Sequence, residues 1–139
     1  MILLDTSGLL AALFPDQRRH TECAHALASA QAPLILSPFV LAELGYLIGK
    51  LSGVDAELAL LAEVAGGAYQ LASFSAQDVQ EAHDIVREFR DLEIGLADAS
   101  LVVLSRRESV TDVLTLDERH FRILRGNQER PFRLLPSDS

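Results

Sequence analysis

Ile2-Leu3-Leu4-Asp5-Thr6-Ser7-Gly8 sets the reading of the whole chain. Three apolar residues end abruptly at an acid, and a polar turn follows. The run reads as a short buried strand feeding a helix from about Ser7 to Leu13, which Pro15-Asp16 closes. The same grammar recurs downstream. Leu34-Ile35-Leu36 is a second apolar triplet, and Ser37-Pro38 behind it gives an N-cap and a first-turn proline for a helix to about Leu51. Val113-Leu114-Thr115-Leu116 runs into Asp117, which opens a short helix through about Ile123. Residues 69–74 form a further expected strand, and residues 132–135 an edge strand before Pro136.

Helical patterns fill the intervals. One runs over about 17–30. Asp55 caps another, which ends near Gly66-Gly67. Ser75 and Asp78 have the spacing of a capping box and start a helix to about Arg90. A loop over 91–95 precedes a strongly apolar helix from Leu96 to about Glu108. Strands alternating with helices predict an α/β fold, with a mostly parallel sheet of four to five strands between two helical layers. The 139 residues suit a single domain, 1–139.

Hydrophobic residues make up 49% of the chain, enough for a packed core. No apolar run approaches the roughly 20 residues of a membrane span. The first residues lack the basic leader of a signal peptide, and the lone Cys23 cannot close an internal disulfide. Both features predict a reducing, cytoplasmic setting. The net charge of −8 argues against a general nucleic-acid binder. Its distribution qualifies that: of the 12 cations all but Lys50 are arginine, and seven follow position 105. These seven are either a solvated surface or a rim of phosphate contacts beside an acidic pocket.

The acids that interrupt apolar patterns carry the chemistry. Asp5 and Asp117 stand just past strand ends, where open α/β sheets place their sites. Asp98 shares a helical face with Ile94, Leu101 and Val102, so it points with the core-facing stripe. A carboxylate there is costly unless paired, and no lysine or arginine occupies the neighbouring turns on that face. Glu43 falls at the edge of the stripe formed by Val40, Leu44, Leu47, Ile48 and Leu51. Taken singly, Asp5 and Asp117 also fit as helix caps, and Glu43 as a border residue. Converging, they repel: two carboxylates about 4 Å apart cost about 4 kcal/mol at an effective dielectric near 20. A divalent cation relieves this, and oxygen-only ligands favour Mg²⁺ or Mn²⁺ over Zn²⁺. His20, His25 and His83 read as surface or core residues. His120, one turn after Asp117, can approach a pocket there, but the acids and not the histidines are read as ligands.

Asp5-Thr6-Ser7 after an N-terminal strand, Ser37-Pro38 with Glu43, Leu96-Ala97-Asp98-Ala99, and Thr115-Leu116-Asp117 leading to Phe121 together resemble a PIN domain. The resemblance spans essentially the whole chain, and the small bare domain looks most like VapC-type toxins. It implies a PIN-like α/β/α fold and a Mg²⁺- or Mn²⁺-dependent endoribonuclease that leaves 5′-phosphate and 3′-hydroxyl ends. By the same resemblance Asp5, Glu43, Asp98 and Asp117 match the metal-holding acidic quartet. Thr6 and Thr115 match positions that orient acids or water. A homodimer and a VapB-type antitoxin partner are implied as well, and the apolar helices from Pro38 and Val54 offer surface for association. Two other readings stay open. One is a non-catalytic PIN fold serving as an RNA-binding or scaffold subunit, which would be marked by loss of quartet acids. The other is a receiver-like phosphorylation domain, which would need a lysine near the acids where the chain has only Lys50.

Overall fold

A computed structural model describes residues 1–139. Five strands form one sheet: β1 Ile2–Leu4, β2 Leu34–Leu36, β3 Gln70–Leu71, β4 Asp112–Leu114 and β5 Arg133–Leu135. Their order is β3-β2-β1-β4-β5, and every pairing is parallel. Seven helices flank the sheet: α1 Thr6–Leu13, α2 His20–Ser29, α3 Pro38–Ser52, α4 Val54–Ala65, α5 Ala76–Glu88, α6 Leu96–Glu108 and α7 Glu118–Phe121. The α/β/α architecture expected from the strand–helix alternation is what the chain adopts.

β1 lies at the centre of the sheet, with a paired strand on each side. Its Leu4 pairs with Leu36 of β2 on one side and Leu114 of β4 on the other, and all three β1 residues are buried. The chain leaves β1 toward β2 and β3, whereas β4 and β5 lie on the opposite flank. The strand order therefore switches between β1 and β4, and a crevice opens beyond their carboxyl ends. α6 is buried continuously from Ala99 to Ser105, so Asp98 sits where this helix enters the core. Beside it, Ser100 Oγ donates to the Ala97 carbonyl, which leaves Ser37 Oγ to donate to Ser100 at 2.7 Å. Ser37 also caps α3 by accepting from the Phe39 amide. One buried chain of hydrogen bonds thus fixes the first turn of α6 against the start of α3.

Several boundaries differ from the sequence reading, for identifiable reasons. The strand expected over 69–74 shrinks to Gln70–Leu71, because Phe74 turns inward to meet the Phe39 ring edge-on at 4.9 Å. α2 starts at His20 rather than near Gln17, since turns occupy 14–20 and Arg19 adopts a left-handed φ of 60°. Gly53, at φ 88°, both ends α3 and opens α4, so Asp55 lies inside the first turn and is not its cap. The Ser75–Asp78 capping box forms as expected.

The C-terminal arginines are largely engaged. Arg106, Arg107, Arg122 and Arg133 pair with carboxylates, and Arg125 donates to the carbonyls of Arg122, Ile123 and Leu124. Of the two readings of these arginines, a phosphate-contacting rim is the less supported, since most of them are spent on internal pairing. Arg122 grips both oxygens of Asp138, at 2.8 and 2.7 Å, and Asp138 also accepts the Leu134 amide. These contacts hold the Asp138 carboxyl down at about 2 and fasten the chain's last residues to the end of α7.

Candidate metal centre

Asp5 follows β1 directly and begins α1, yet its side chain caps no amide of that helix. Its Oδ2 instead accepts two hydroxyl hydrogens, from Thr115 at 2.6 Å and Ser7 at 2.8 Å. Both hydroxyls accept in turn: Thr115 Oγ1 from the Asp117 amide and Ser7 Oγ from the Leu116 amide. Each hydroxyl has one hydrogen and spends it on Asp5, so the carboxylate is aimed from two sides. This is possible because Gly8 lets the start of α1 rest directly on the backbone of Leu114 and Thr115.

Asp117 caps a helix, as one reading of its sequence allowed, and it also lines the cleft. Oδ1 caps α7 by accepting the His120 amide at 3.0 Å, while Oδ2 lies 2.9 Å from His120 Nδ1. The same Nδ1 meets Asp98 Oδ2 at 2.9 Å. With both carboxylates ionised, a ring nitrogen flanked by their two oxygens carries its hydrogen, so His120 then donates here.

A cleft of about 380 Å³ collects these groups: Asp5, Thr6, Ser7, Asp98, Asp117 and His120, with Glu43 at its exposed rim. Among buried side chains Thr6 is singular: its Oγ1 has no partner. The sequence pointed to the four acids and both threonines, and to His120 as able to approach the pocket though not as a ligand; Ser7 it did not mark. The signals were the Asp5-x-Ser7 spacing and the helical i, i+3 spacing of Asp117 and His120. Asp112 is no part of this cleft and pairs with Arg133 at the far end of β4. Lys50 sits over the Tyr46 ring and does not line the cleft, so the receiver-like reading lacks its lysine.

Burial dominates the electrostatics. It raises the Asp5 carboxyl above the ordinary range despite the Thr115 and Ser7 bonds. Asp98 is pushed up to about 6 by burial first and by the Asp5 charge second, with His120 opposing. An acid whose folded value is raised adds stability below its unfolded value of 3.8, and that stability is lost as pH climbs through about 6. Metal-free protein is thus expected to melt higher at pH 5 than at pH 7.5 through this group. The carboxyls lowered by salt bridges or hydrogen bonds, Glu22, Asp78, Asp84 and Asp138, titrate below that window and do not offset it. Thermal melts of EDTA-treated wild type and Asp98→Asn check this: the variant is expected to melt higher at pH 7.5, with the gap narrower at pH 5 and closing only toward pH 3.8.

An α/β/α sheet with an acidic cleft at the β1/β4 switch defines a class, and the comparisons agree with it. Residues 2–126 match the PIN domain family, and the chain belongs to that family. Ribonuclease VapC26 of Mycobacterium tuberculosis is 45% identical over 138 residues, which cover 97% of this chain and all of that protein. Among solved structures, the M. tuberculosis VapC20 toxin, described as cleaving the sarcin–ricin loop, superposes with a TM-score of 0.78 at 21% identity. That match covers 84% of this chain and 90% of VapC20. A toxin–antitoxin complex from Klebsiella pneumoniae gives 0.67 at 18% identity, over 89% of this chain and 92% of its own.

Proposed function

We propose that this chain is a divalent-metal-dependent endoribonuclease and the toxin of a toxin–antitoxin pair, with Asp5, Glu43, Asp98 and Asp117 as its metal-holding acids. One observation carries the reading. Carboxylates from three distant segments, after β1, on α6 and after β4, converge in a single cleft beside a buried hydroxyl with nothing to bond. The donor set fits a hard divalent cation. The identity with a protein named as a ribonuclease supports the reaction class, and retention of all four acids disfavours a purely non-catalytic scaffold.

When bound, such an ion supplies Lewis acidity, acidifying water and offsetting phosphate charge. The protein's own groups do the rest. Thr115 and Ser7 hold Asp5 in one orientation, so one of its oxygens is left free for the cleft. Thr6 Oγ1 offers an unspent hydrogen to water or to a phosphate oxygen. Glu43, at the rim, is placed to orient water or a second ion. The scissile RNA phosphate enters from the exposed side, and hydrolysis leaves 5′-phosphate and 3′-hydroxyl ends. An antitoxin of VapB type and a second copy of the chain are the proposed partners. Exposed Tyr46, Val54, Leu58 and Leu61 on α3 and α4 support an association surface. No helix is long and apolar enough to cross a membrane, in keeping with the cytoplasm as the proposed location.

The test is cleavage of RNA by purified protein after EDTA treatment, with Mg²⁺ or Mn²⁺ added back. Activity is expected to vanish with chelation and return with either ion. Metal at about 100 times its Kd is also expected to stabilise the fold by about 2.7 kcal/mol, read as a rise in Tm. Undiminished cleavage in EDTA, with no shift in Tm on adding metal, would overturn the reading.

A further inference from the structure

His120 stands where the acids alone do not explain it. Its Nδ1 lies 2.9 Å from Asp98 Oδ2 and 2.9 Å from Asp117 Oδ2, and the three ligand-capable atoms all fall within 4.8 Å of one another. In an octahedral site with bonds of about 2.1 Å, neighbouring ligand atoms are roughly 3.0 Å apart. The two nitrogen–oxygen distances are compatible with neighbouring positions in such a site once the Nδ1 hydrogen is gone. The amide of His120 is pinned by Asp117 Oδ1, so α7 presents both side chains on the same face. Thr6, 4% exposed, lines the same cleft, and its buried and unpartnered Oγ1 independently points to a missing polar neighbour there.

We propose that His120 Nδ1 is a nitrogen ligand of the bound ion, completing a one-histidine, two-carboxylate set with Asp98 and Asp117, and that this makes the site prefer Mn²⁺ over Mg²⁺. The inference rests on the metal-dependent reading above and adds which ion the site selects. On ligation Nδ1 gives its hydrogen up to solvent, the imidazole carries its one remaining hydrogen on Nε2, and the freed Nδ1 lone pair binds the ion. Mg²⁺ is hard and strongly prefers oxygen, whereas Mn²⁺ accepts imidazole beside carboxylates. The competing role is a placeholder: the imidazole N–H bridges the two acids only until an ion displaces it. The two roles predict opposite signs. Removing a ligand weakens Mn²⁺ binding; removing a competitor strengthens it.

The experiment is Mn²⁺ titration followed by electron paramagnetic resonance, with electron spin echo detection of nitrogen coupled to the ion, alongside calorimetric titration of Mg²⁺. No other histidine lines the cleft, so nitrogen coupling reports His120. Wild type is expected to show that coupling and to bind Mn²⁺ at least about 10-fold more tightly than Mg²⁺. In His120→Ala the coupling is expected to disappear. Mn²⁺ affinity should fall about 10- to 100-fold, with Mg²⁺ affinity changing about 3-fold or less. The wild-type echo needs no variant, so misfolding of His120→Ala leaves the test intact. Mn²⁺ bound by wild type without nitrogen coupling overturns the assignment of His120 alone, as does equal or tighter Mn²⁺ binding by His120→Ala. Wild type that binds neither ion overturns the metal-dependent reading itself, and this inference with it.

Discussion

Asp5→Asn is expected to lower metal-dependent RNA cleavage by about 1000-fold or more while leaving the fold intact and somewhat more stable. The two effects share a cause. Asp5 is 5% exposed, and its side-chain partners are the neutral hydroxyls of Thr115 and Ser7. Those bonds survive the substitution, because an amide oxygen in the Oδ2 position accepts both hydrogens. What disappears is the charge. Without metal that charge is costly to bury, and replacing it should add about 0.5–2 kcal/mol, the range of favourable single substitutions. With metal the charge is needed, and a loss of about 1000-fold corresponds to about 4 kcal/mol at the transition state. Single-turnover cleavage and thermal melts on the same preparations measure both. A variant that cuts as fast as wild type sinks the site assignment; one that is inactive only because it unfolds is recognised by its melt.

Gly8→Ala is expected to be the most damaging substitution of a single methyl group in the protein. A Cβ at this position would meet the Leu114 carbonyl oxygen, with the carbonyl carbon at 2.5 Å and the Thr115 amide nitrogen at 2.8 Å. These are backbone atoms of a buried strand end and cannot swing aside. Overpacking against them should cost roughly 3 kcal/mol or more, a large share of the 5–15 kcal/mol typical of a domain. The same push separates Ser7 from Leu116 and Thr115 from Asp5, so activity should fall even where protein remains folded. Gly95→Ala makes the control, since nothing lies within 4 Å of its added methyl, and about 1 kcal/mol or less is expected. Urea denaturation of both variants decides the matter; equal midpoints would show that the contact of α1 with β4 is looser than the geometry implies.

The fold was legible because its strands announce themselves. Ile2–Leu4 and Leu34–Leu36 are unbroken apolar triplets closed by polar turns, and buried parallel strands demand that pattern. β3 was overread because Phe74 carries the same apolar signal whether it extends a strand or packs a ring against Phe39. Among the acids, Asp98 was the clearest, since a helical face otherwise made of Ile94, Leu101 and Val102 gives it away. Glu43 was placed at the border of its helix stripe, and it occupies the exposed rim. His120 was harder. Its membership depends on α7 starting at Asp117 and on α6 delivering Asp98 from 22 residues away, and no local pattern encodes that meeting. The arginines were illegible for the same reason. Nothing near Arg122 in sequence shows that Asp138 will return to it.

That return has a practical reach. α7 is four residues long and carries His120, yet much of its footing is a two-pronged grip on a carboxylate sixteen positions later. Whatever is fused behind Ser139, a purification handle or a fluorescent reporter, tugs on a leash whose other end is the proposed metal centre. Workers who see sluggish cleavage from such a fusion should suspect the handle before the enzyme.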